Sequence, residues 1–61
     1  MQSEQICLTP KAAAAALSLG VRTLARMRER REGPRWIYVG RVVRYTIADL
    51  EAWLEAQHGR D

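Results

Sequence analysis

The sequence is poor in the residues that mark secreted, membrane-bound and catalytic proteins. Cys7 is its one cysteine, so no disulfide can form within the chain, and a reducing cytosol suits it best. We expect Cys7 to be a packing residue and not a redox site. No apolar run approaches the roughly 20 residues that a membrane-spanning helix needs. The apolar block at residues 12–17 also lacks the flanks of a signal peptide. These absences favour a cytoplasmic protein.

The chain also lacks the combinations of side chains on which enzymes and metalloproteins depend. No histidine pairs with a nucleophile, and His58 has no second histidine, cysteine or carboxylate cluster near it in sequence. We expect His58 near a helix C-terminus, where the helix dipole favours a cation. Gly40 has no glycine-rich neighbours that could cradle a phosphate group. The sequence therefore predicts a protein that is not an enzyme, with no catalytic residues, metal, cofactor or small-molecule substrate.

Arginine, in contrast, is abundant and unevenly distributed. A chain of 61 residues forms one small domain, which buries only about 60% of its unfolded surface. Residues 22–44 hold eight arginines and two glutamates, a net charge of +6, whereas residues 45–61 hold one arginine and four acidic residues, a net charge of −3. Nine of the ten basic residues are arginine, whose guanidinium fork matches phosphates and base edges. This asymmetry favours a nucleic-acid partner.

A short helix with strong start signals is predicted near the N-terminus. Thr9 suits the N-cap and Pro10 suits the first helical position, where its missing N–H costs nothing. The five alanines at residues 12–16 favour a helix and keep it slim, so that a second helix can pack closely across it. A break at residues 18–21 follows. This arrangement is typical of a helix-turn-helix domain.

A second helix is predicted after the break. It should run from Val21 to about Arg31, with Gly20 as its N-cap. We expect Gly33 to occupy the C′ position and Pro34 to prevent continuation of the helix.

The residues on one side of this second helix indicate that its partner is DNA. With Leu24 and Met27 as the buried stripe, a rotation of 100° per residue places an arginine-bearing surface on the opposite side. A cationic helix surface after a tight turn fits the major groove, and arginine matches the paired acceptors of guanine. A solvated helix that merely carries arginines is the alternative. We predict a recognition face made of Val21, Arg22, Ala25, Arg26 and Glu29.

Residues 36–45 predict a β-hairpin broken by Gly40, in one of two registers. A two-residue loop, Gly40-Arg41, would place on one face Trp36, Tyr38, Val43 and Tyr45. A three-residue loop, Gly40 to Val42, would turn inward Ile37, Val39, Val43 and Tyr45. We favour the three-residue loop because it gives the more apolar inner face and leaves Tyr38 and Arg44 outward, although glycine at the first loop position counts against it.

A third helix is predicted from Thr46, which forms an aspartate version of the capping box with Asp49. Its apolar stripe should face the core and consists of Ile47, Leu50 and Leu54, with Trp53 at the edge. Glu51 and Glu55 would repel phosphate groups, so we expect this helix to lie away from the nucleic acid.

These elements predict a mainly α-helical fold with a β-hairpin wing, in the order α-α-β-β-α, which is a small winged helix-turn-helix domain. The domain is expected at residues 9–57, between an N-terminal arm at 1–8 and a C-terminal tail at 58–61. Arg41 and Arg44 on the wing are expected to contact the DNA backbone or the neighbouring minor groove. Further candidates for phosphate contacts are Thr9, Lys11, Arg28 and Arg35.

Several short motifs, each weak alone, occur in an order and at spacings that together are more specific. They are Leu8-Thr9-Pro10-Lys11, Ala13-Ala14, Thr23-Leu24, Arg26, Val39-Gly40-Arg41, Val43-Arg44-Tyr45 and Asp49-Leu50-Glu51-Ala52-Trp53-Leu54. Across residues 8–55 the chain resembles the excisionase and AlpA-type branch of the MerR-like superfamily. It departs from the family pattern at Ser18, Gly20 and Met27, where the family usually has glycine, a serine or threonine cap, and an aromatic residue.

The resemblance implies a small prokaryotic DNA-binding protein, of a kind often encoded on phages and integrative elements. Many such proteins are recombination directionality factors, which bind attachment-site DNA and bias an integrase toward excision, and others regulate transcription. The resemblance also implies that the second helix is the recognition helix and the hairpin is the wing. The expected partners are double-stranded DNA and an integrase, and the expected location is the nucleoid in the cytoplasm. A protein-interaction adaptor that uses the basic face on an acidic partner is a third alternative.

We expect a monomer in solution that associates weakly, head to tail, on DNA. One core should use nearly all of the hydrophobic residues, which would leave no large apolar patch for a stable dimer of about 1,200 Å² or more. The acidic third helix of one copy would instead contact the arginine-bearing hairpin of the next. The expectation also rests on the absence, after Asp61, of the long dimerisation helix of full MerR-type regulators.

Overall fold

The computed structural model describes residues 6–58, which form three helices and a three-stranded antiparallel sheet. In chain order the elements are β1 (Cys7–Leu8), α1 (Pro10–Ala16), α2 (Val21–Glu29), β2 (Ile37–Val39), β3 (Val42–Thr46) and α3 (Ile47–His58). The strand order is β1-β3-β2, so the hairpin of β2 and β3 has β1 added at its other edge. The predicted winged helix-turn-helix fold is therefore confirmed, with one additional strand.

The ends of the domain differ slightly from the expected boundaries. Cys7 and Leu8, which the sequence placed in the N-terminal arm, pair with Thr46 and Tyr45 in the sheet. At the other end, α3 extends to His58, one residue beyond the predicted end of the domain at residue 57. The rest of the expected arm and tail lies outside the described residues.

Helix α1 forms as its start signals predict. The Thr9 Oγ1 accepts a hydrogen bond from the backbone N–H of Ala12 at 3.1 Å, and Pro10 occupies the first turn. Ala13 and Ala14 are buried, and α2 packs against α1. The small alanine side chains allow this close approach of the two helices.

Both α1 and α2 end in a left-handed residue that is not glycine. After α1, Ser18 has a φ of 59°, and the N–H of Leu19 donates to the carbonyl of Ala14 at 2.8 Å. After α2, Arg31 has the same φ, and the N–H of Glu32 donates to the carbonyl of Met27 at 2.7 Å. These are Schellman endings.

The predicted end of α2 is therefore wrong by two residues, since the helix stops at Glu29 and Arg31 takes the C′ position expected of Gly33. Gly33 has a different structural role. It has a φ of 78°, and a Cβ at this position would lie 3.1 Å from the Cβ of Met27. Gly33 thus lets the loop after α2 pass close to the helix.

The favoured hairpin register is also wrong, because the loop has two residues and not three. Ile37 pairs with Arg44, Tyr38 with Val43, and Val39 with Val42, which leaves Gly40 and Arg41 as the loop. Gly40 has a φ of 67°, whereas Arg41 has no positive φ. A positive φ at the first loop position alone is typical of a type II′ turn, which takes glycine at that place. The position of glycine was therefore a better guide to the register than the apolar pattern.

The core forms where α1, α2, β3 and α3 meet. Its buried side chains are Ala13, Ala14, Leu24, Tyr45 and Leu50, and the half-buried side chains packed against them are Leu8, Leu17, Met27, Trp36 and Val43. Tyr45 and Leu24 are the largest side chains that are fully buried. The core thus has one main contributor from each of α2, β3 and α3.

Helix α3 begins at the predicted cap, where the Thr46 Oγ1 accepts from the N–H of Asp49 at 3.0 Å. The prediction that Leu54 faces the core is wrong, since this side chain is 43% exposed. Trp53 and Gln57 are half-buried instead. The reason is that α3 meets the loop at residues 33–35 with the side that carries Trp53. Leu54 lies about 100° around the helix from Trp53 and is turned outward.

A second expectation about apolar side chains is wrong as well, because the core does not use nearly all of them. Ile37, Val39 and Val42 are 43%, 49% and 45% exposed. Because paired residues share a face of a sheet, these three side chains and Arg44 lie on the same side of the hairpin, opposite Val43 and Tyr45. We call this surface the outer face of the hairpin.

The left-handed turn after α1 generates a stability prediction. Ser18→Gly is expected to raise the free energy of unfolding by about 0.5–1 kcal/mol, because glycine adopts a positive φ without the Cβ penalty of other residues. Gly40→Ala should lower the free energy of unfolding, since the φ of Gly40 is also positive. No atom lies within 4 Å of the added Cβ, so the effect comes from the backbone conformation and not from a clash. Urea unfolding followed by far-ultraviolet circular dichroism measures both variants. Equal stabilities of Ser18→Gly and the wild type would contradict the prediction.

Candidate nucleic-acid interface

The predicted recognition face of α2 is available to a partner. Leu24 is buried and Met27 half-buried, which confirms the predicted inner stripe. On the opposite side, Arg22, Arg26 and Glu29 are exposed. The two remaining members are Ala25, which is half-buried, and Val21, which is exposed at the start of the helix. The face therefore presents two arginines and one glutamate, with Ala25 and Val21 at its apolar edge.

The start of α2 adds a positive potential to this face. Gly20 is the N-cap and has no side chain to bond the first N–H groups of the helix. These groups and the helix dipole give the N-terminal end a partial positive charge, which attracts phosphate groups. Arg22 lies in this first turn, so its charge and the dipole act in the same direction.

The two wing arginines have different surroundings. Arg41 is exposed in the loop at the tip of the hairpin. Arg44 is half-buried on the outer face, and its Nη1 donates to the carbonyl oxygen of Val43 at 2.7 Å. Arg41 is therefore the wing cation that is free to enter a groove. Arg44 would have to leave or share this bond to contact a phosphate group.

The phosphate candidates at the start of α1 are both exposed. Thr9 caps the helix with its Oγ1 as an acceptor, which leaves its hydroxyl hydrogen available as a donor. Lys11 lies in the first turn of α1. Contacts of either side chain with DNA remain predictions.

Arg28 is not placed like the other phosphate candidates. It is half-buried, and its Nη1 donates to the hydroxyl of Tyr45 at 3.0 Å. Its Cζ also lies 5.9 Å from the centre of the Trp36 ring. The reason is helical geometry, since a residue four positions after Leu24 lies only about 40° from it around the helix. The guanidinium is therefore turned toward the hairpin.

A groove at the end of α2 collects arginines that the sequence placed in different elements. Arg28, Arg31 and Arg35 line it together with Trp36, and Glu29 and Glu32 contribute negative charge. Arg31 was not among the predicted site residues. The signal that would have found it is the end of α2. The left-handed residue that ends this helix is Arg31 and not Gly33, which places the Arg31 side chain beyond the helix, at this groove.

The acidic residues of α3 lie elsewhere. Glu51 and Glu55 are exposed on α3, and Leu54, one turn after Glu51, is exposed as well. We call these three residues the acidic face of α3. The positive and negative charges of the sequence thus lie mainly on different helices, α2 and α3, as the charge pattern predicts.

The fold and the exposed arginine face define the class of protein, which is a small winged helix-turn-helix DNA-binding domain. A family model described as a helix-turn-helix domain matches residues 7–58. The chain belongs to this family, and it is a sequence-specific DNA-binding domain. No curated protein matches the sequence.

Two further findings concern other kinds of function. Within residues 6–58, no helix has the length and apolar character that are needed to cross a membrane. The same part of the chain has no group of three or more His, Cys, Asp or Glu side chains that could hold a metal ion.

The geometry of α2 predicts that Arg22 reads a base. Arg22→Ala is expected to weaken binding to the cognate site by about 1–3 kcal/mol, because a guanidinium fork on guanine is lost. It should weaken binding to a mixed-sequence duplex much less. Fluorescence anisotropy titrations on both duplexes measure the difference. Arg35→Ala is the matched comparison, since a phosphate contact is lost equally on both. Equal weakening by Arg22→Ala would assign Arg22 to the backbone.

Proposed function

We propose that this chain is an excisionase-like factor that binds attachment-site DNA and directs an integrase toward excision. The observation that carries the proposal is the exposed recognition face of α2, with Arg22 and Arg26, beside a wing whose tip presents Arg41. Excisionase-like proteins occur in the helix-turn-helix family to which the chain belongs. The motifs between residues 8 and 55 support the narrower assignment.

In this proposal each element has a separate task on the DNA. Helix α2 enters the major groove, where Arg22 and Arg26 contact base edges and Ala25 packs against the groove wall. Arg41 at the wing tip enters the adjacent minor groove or contacts its backbone. Thr9, Lys11 and Arg35 bind phosphate groups, which set the register but carry no sequence information. Such a protein acts at the nucleoid, in the cytoplasm of a prokaryotic cell.

A footprinting experiment on the DNA around the chain's own coding sequence tests this function. Protection within an attachment site, together with stimulation of excision by the neighbouring integrase in a reconstituted reaction, is the expected result. Arg22→Ala is the control, because it should lose both activities while remaining folded. Protection of a promoter without any effect on excision would instead support an AlpA-type regulator. Retention of an acidic protein that competitor DNA does not displace would support an adaptor.

We also propose that copies of the chain associate head to tail on adjacent sites. The outer face of the hairpin carries exposed Ile37, Val39 and Val42 beside Arg44, and the acidic face of α3 carries exposed Leu54 together with Glu51 and Glu55. The two surfaces are complementary in both apolar character and charge. They lie on different elements, so a contact between them is heterologous and extends into a row.

A comparison of one site with two adjacent direct repeats tests this assembly. Leu54→Asp should abolish cooperative binding to the repeats and leave the affinity for a single site unchanged, because Leu54 is exposed and not part of the core. Ala56→Asp is the matched control, since it adds the same charge to an exposed position on another side of α3. We expect a monomer in solution by sedimentation. A twofold dimer with a preference for inverted repeats would overturn the head-to-tail arrangement.

A further inference from the structure

We infer that Arg28 is a positioning residue, which holds the hairpin at a fixed orientation to α2 so that the wing and the recognition helix bind the same DNA. The inference rests on the proposed wing contact of Arg41. It assigns to Arg28 a role inside the protein in place of the phosphate contact that its charge alone suggests. We use the term brace for three groups, which are the Arg28 guanidinium and the two groups that it contacts, the Tyr45 hydroxyl and the Trp36 ring.

The brace adds a direct polar link between α2 and the hairpin, which also meet in the apolar core. Helix α2 packs mainly on α1, whereas β3 packs on α1 and α3. Within residues 6–58, the bond from Arg28 Nη1 to the Tyr45 hydroxyl is the side-chain hydrogen bond that connects α2 directly with the hairpin. The same guanidinium lies 5.9 Å from the ring centre of Trp36, the residue just before β2. One side chain therefore contacts β3 and the residue that leads into β2.

The partners of Arg28 are themselves held in place. Tyr45 is 1% exposed, so its ring cannot change position without opening the core. Trp36 packs edge-on against Tyr38, with ring centres 5.0 Å apart and planes at 90°. A buried tyrosine hydroxyl requires a hydrogen-bond partner, and no buried side-chain polar atom of the described residues lacks one. The bond therefore satisfies a hydroxyl that belongs to the core.

Arginine is suited to this position by its chemistry. Its planar guanidinium is weakly hydrated, donates from several N–H groups and stacks on aromatic rings. Lysine has the same charge, but its ammonium group is compact and strongly hydrated. Lysine at position 28 would retain the charge for a phosphate contact and lose the geometry of the brace.

The orientation of the hairpin matters because α2 and the wing are two binding sites on one duplex. When their separation is fixed, the second contact forms at little additional entropic cost. When the hairpin is free to pivot, the Arg41 contact can form only if the hairpin is first ordered. The entropic cost of this ordering cancels much of the contribution of Arg41 to binding. Removal of the brace should therefore reduce the contribution of Arg41 to DNA affinity, although Arg41 lies at the far end of the hairpin.

A double-mutant cycle on a fluorescein-labelled mixed-sequence duplex tests the inference. In the wild-type background, Arg41→Ala should weaken binding by roughly three- to tenfold, as loss of one backbone contact at low salt does. In the Tyr45→Phe background, which removes only the hydroxyl, the same change should weaken binding less than about twofold if the wing no longer engages. Tyr38→Phe is the matched control, because Tyr38 is exposed and outside the brace. In that background Arg41→Ala should retain its full effect.

Lys11→Ala provides a second control, since Lys11 lies on α1 and does not depend on the hairpin. Its effect on affinity should be the same in the wild-type and Tyr45→Phe backgrounds. Thermal unfolding establishes that Tyr45→Phe is folded at the temperature of the titrations. Should it not be, Arg28→Lys serves as the second background, and Arg41→Ala should again lose most of its effect there.

Three outcomes would refute part of the scheme, and they are distinguishable. If Arg41→Ala has the same effect in the wild-type, Tyr45→Phe and Arg28→Lys backgrounds, Arg28 does not position the wing. If Arg28→Ala weakens binding whereas Tyr45→Phe and Arg28→Lys leave it unchanged, Arg28 is a phosphate contact after all. If Arg41→Ala has no effect in the wild type, the proposed wing contact is wrong, and the brace has no role in DNA binding.

Discussion

The structure depends on the burial of Tyr45 at the centre of the sheet. This residue is the largest fully buried side chain, and it lies on β3, the strand that pairs with both β1 and β2. Leu24 from α2 and Leu50 from α3 belong to the same core cluster. Burial of an aromatic ring supplies a large share of the hydrophobic stabilisation of so small a core, but its hydroxyl must be satisfied. The hydrogen bond from Arg28 meets this requirement and links α2 to β3.

The two long helices carry the opposite charges of the chain on their exposed sides. Helix α2 follows a tight turn and exposes an arginine face, whereas α3 follows directly from β3 and exposes Glu51 and Glu55. Acidic side chains distributed over the arginine face would weaken its attraction for a phosphate backbone. The separation of charge therefore orients the domain toward DNA before any specific contact forms, and it leaves α3 available for protein contacts.

The sequence predicted the elements whose signals are local. Thr9 and Thr46 both cap helices as expected, because an N-cap depends only on the next three residues. The burial of Leu24 was predictable from the 3.6-residue period of a helix that packs on one side. The exposed side of α2 followed from the same period.

Features that depend on neighbouring elements were not predicted. The face of α3 that is buried depends on the loop at residues 33–35, so Leu54 and Trp53 could not be ranked from periodicity alone. The inward turn of Arg28 depends on the presence of Tyr45, which is 17 residues away in the sequence. The hairpin register was predicted from the more apolar inner face, but the backbone preference of Gly40 favours the register that the structure has.

The limited size of the recognition face has a consequence for the proposed function. If Arg22 and Arg26 each read one base pair, together they discriminate by about 2–6 kcal/mol. Selection of one site among about a million competing sites requires about 8 kcal/mol. With these two contacts alone, a single copy therefore falls short of addressing one locus. We expect the additional selectivity to come mainly from neighbouring copies or from a partner protein on the same DNA. The exposed outer face of the hairpin and the acidic face of α3 are the surfaces on which such contacts would form.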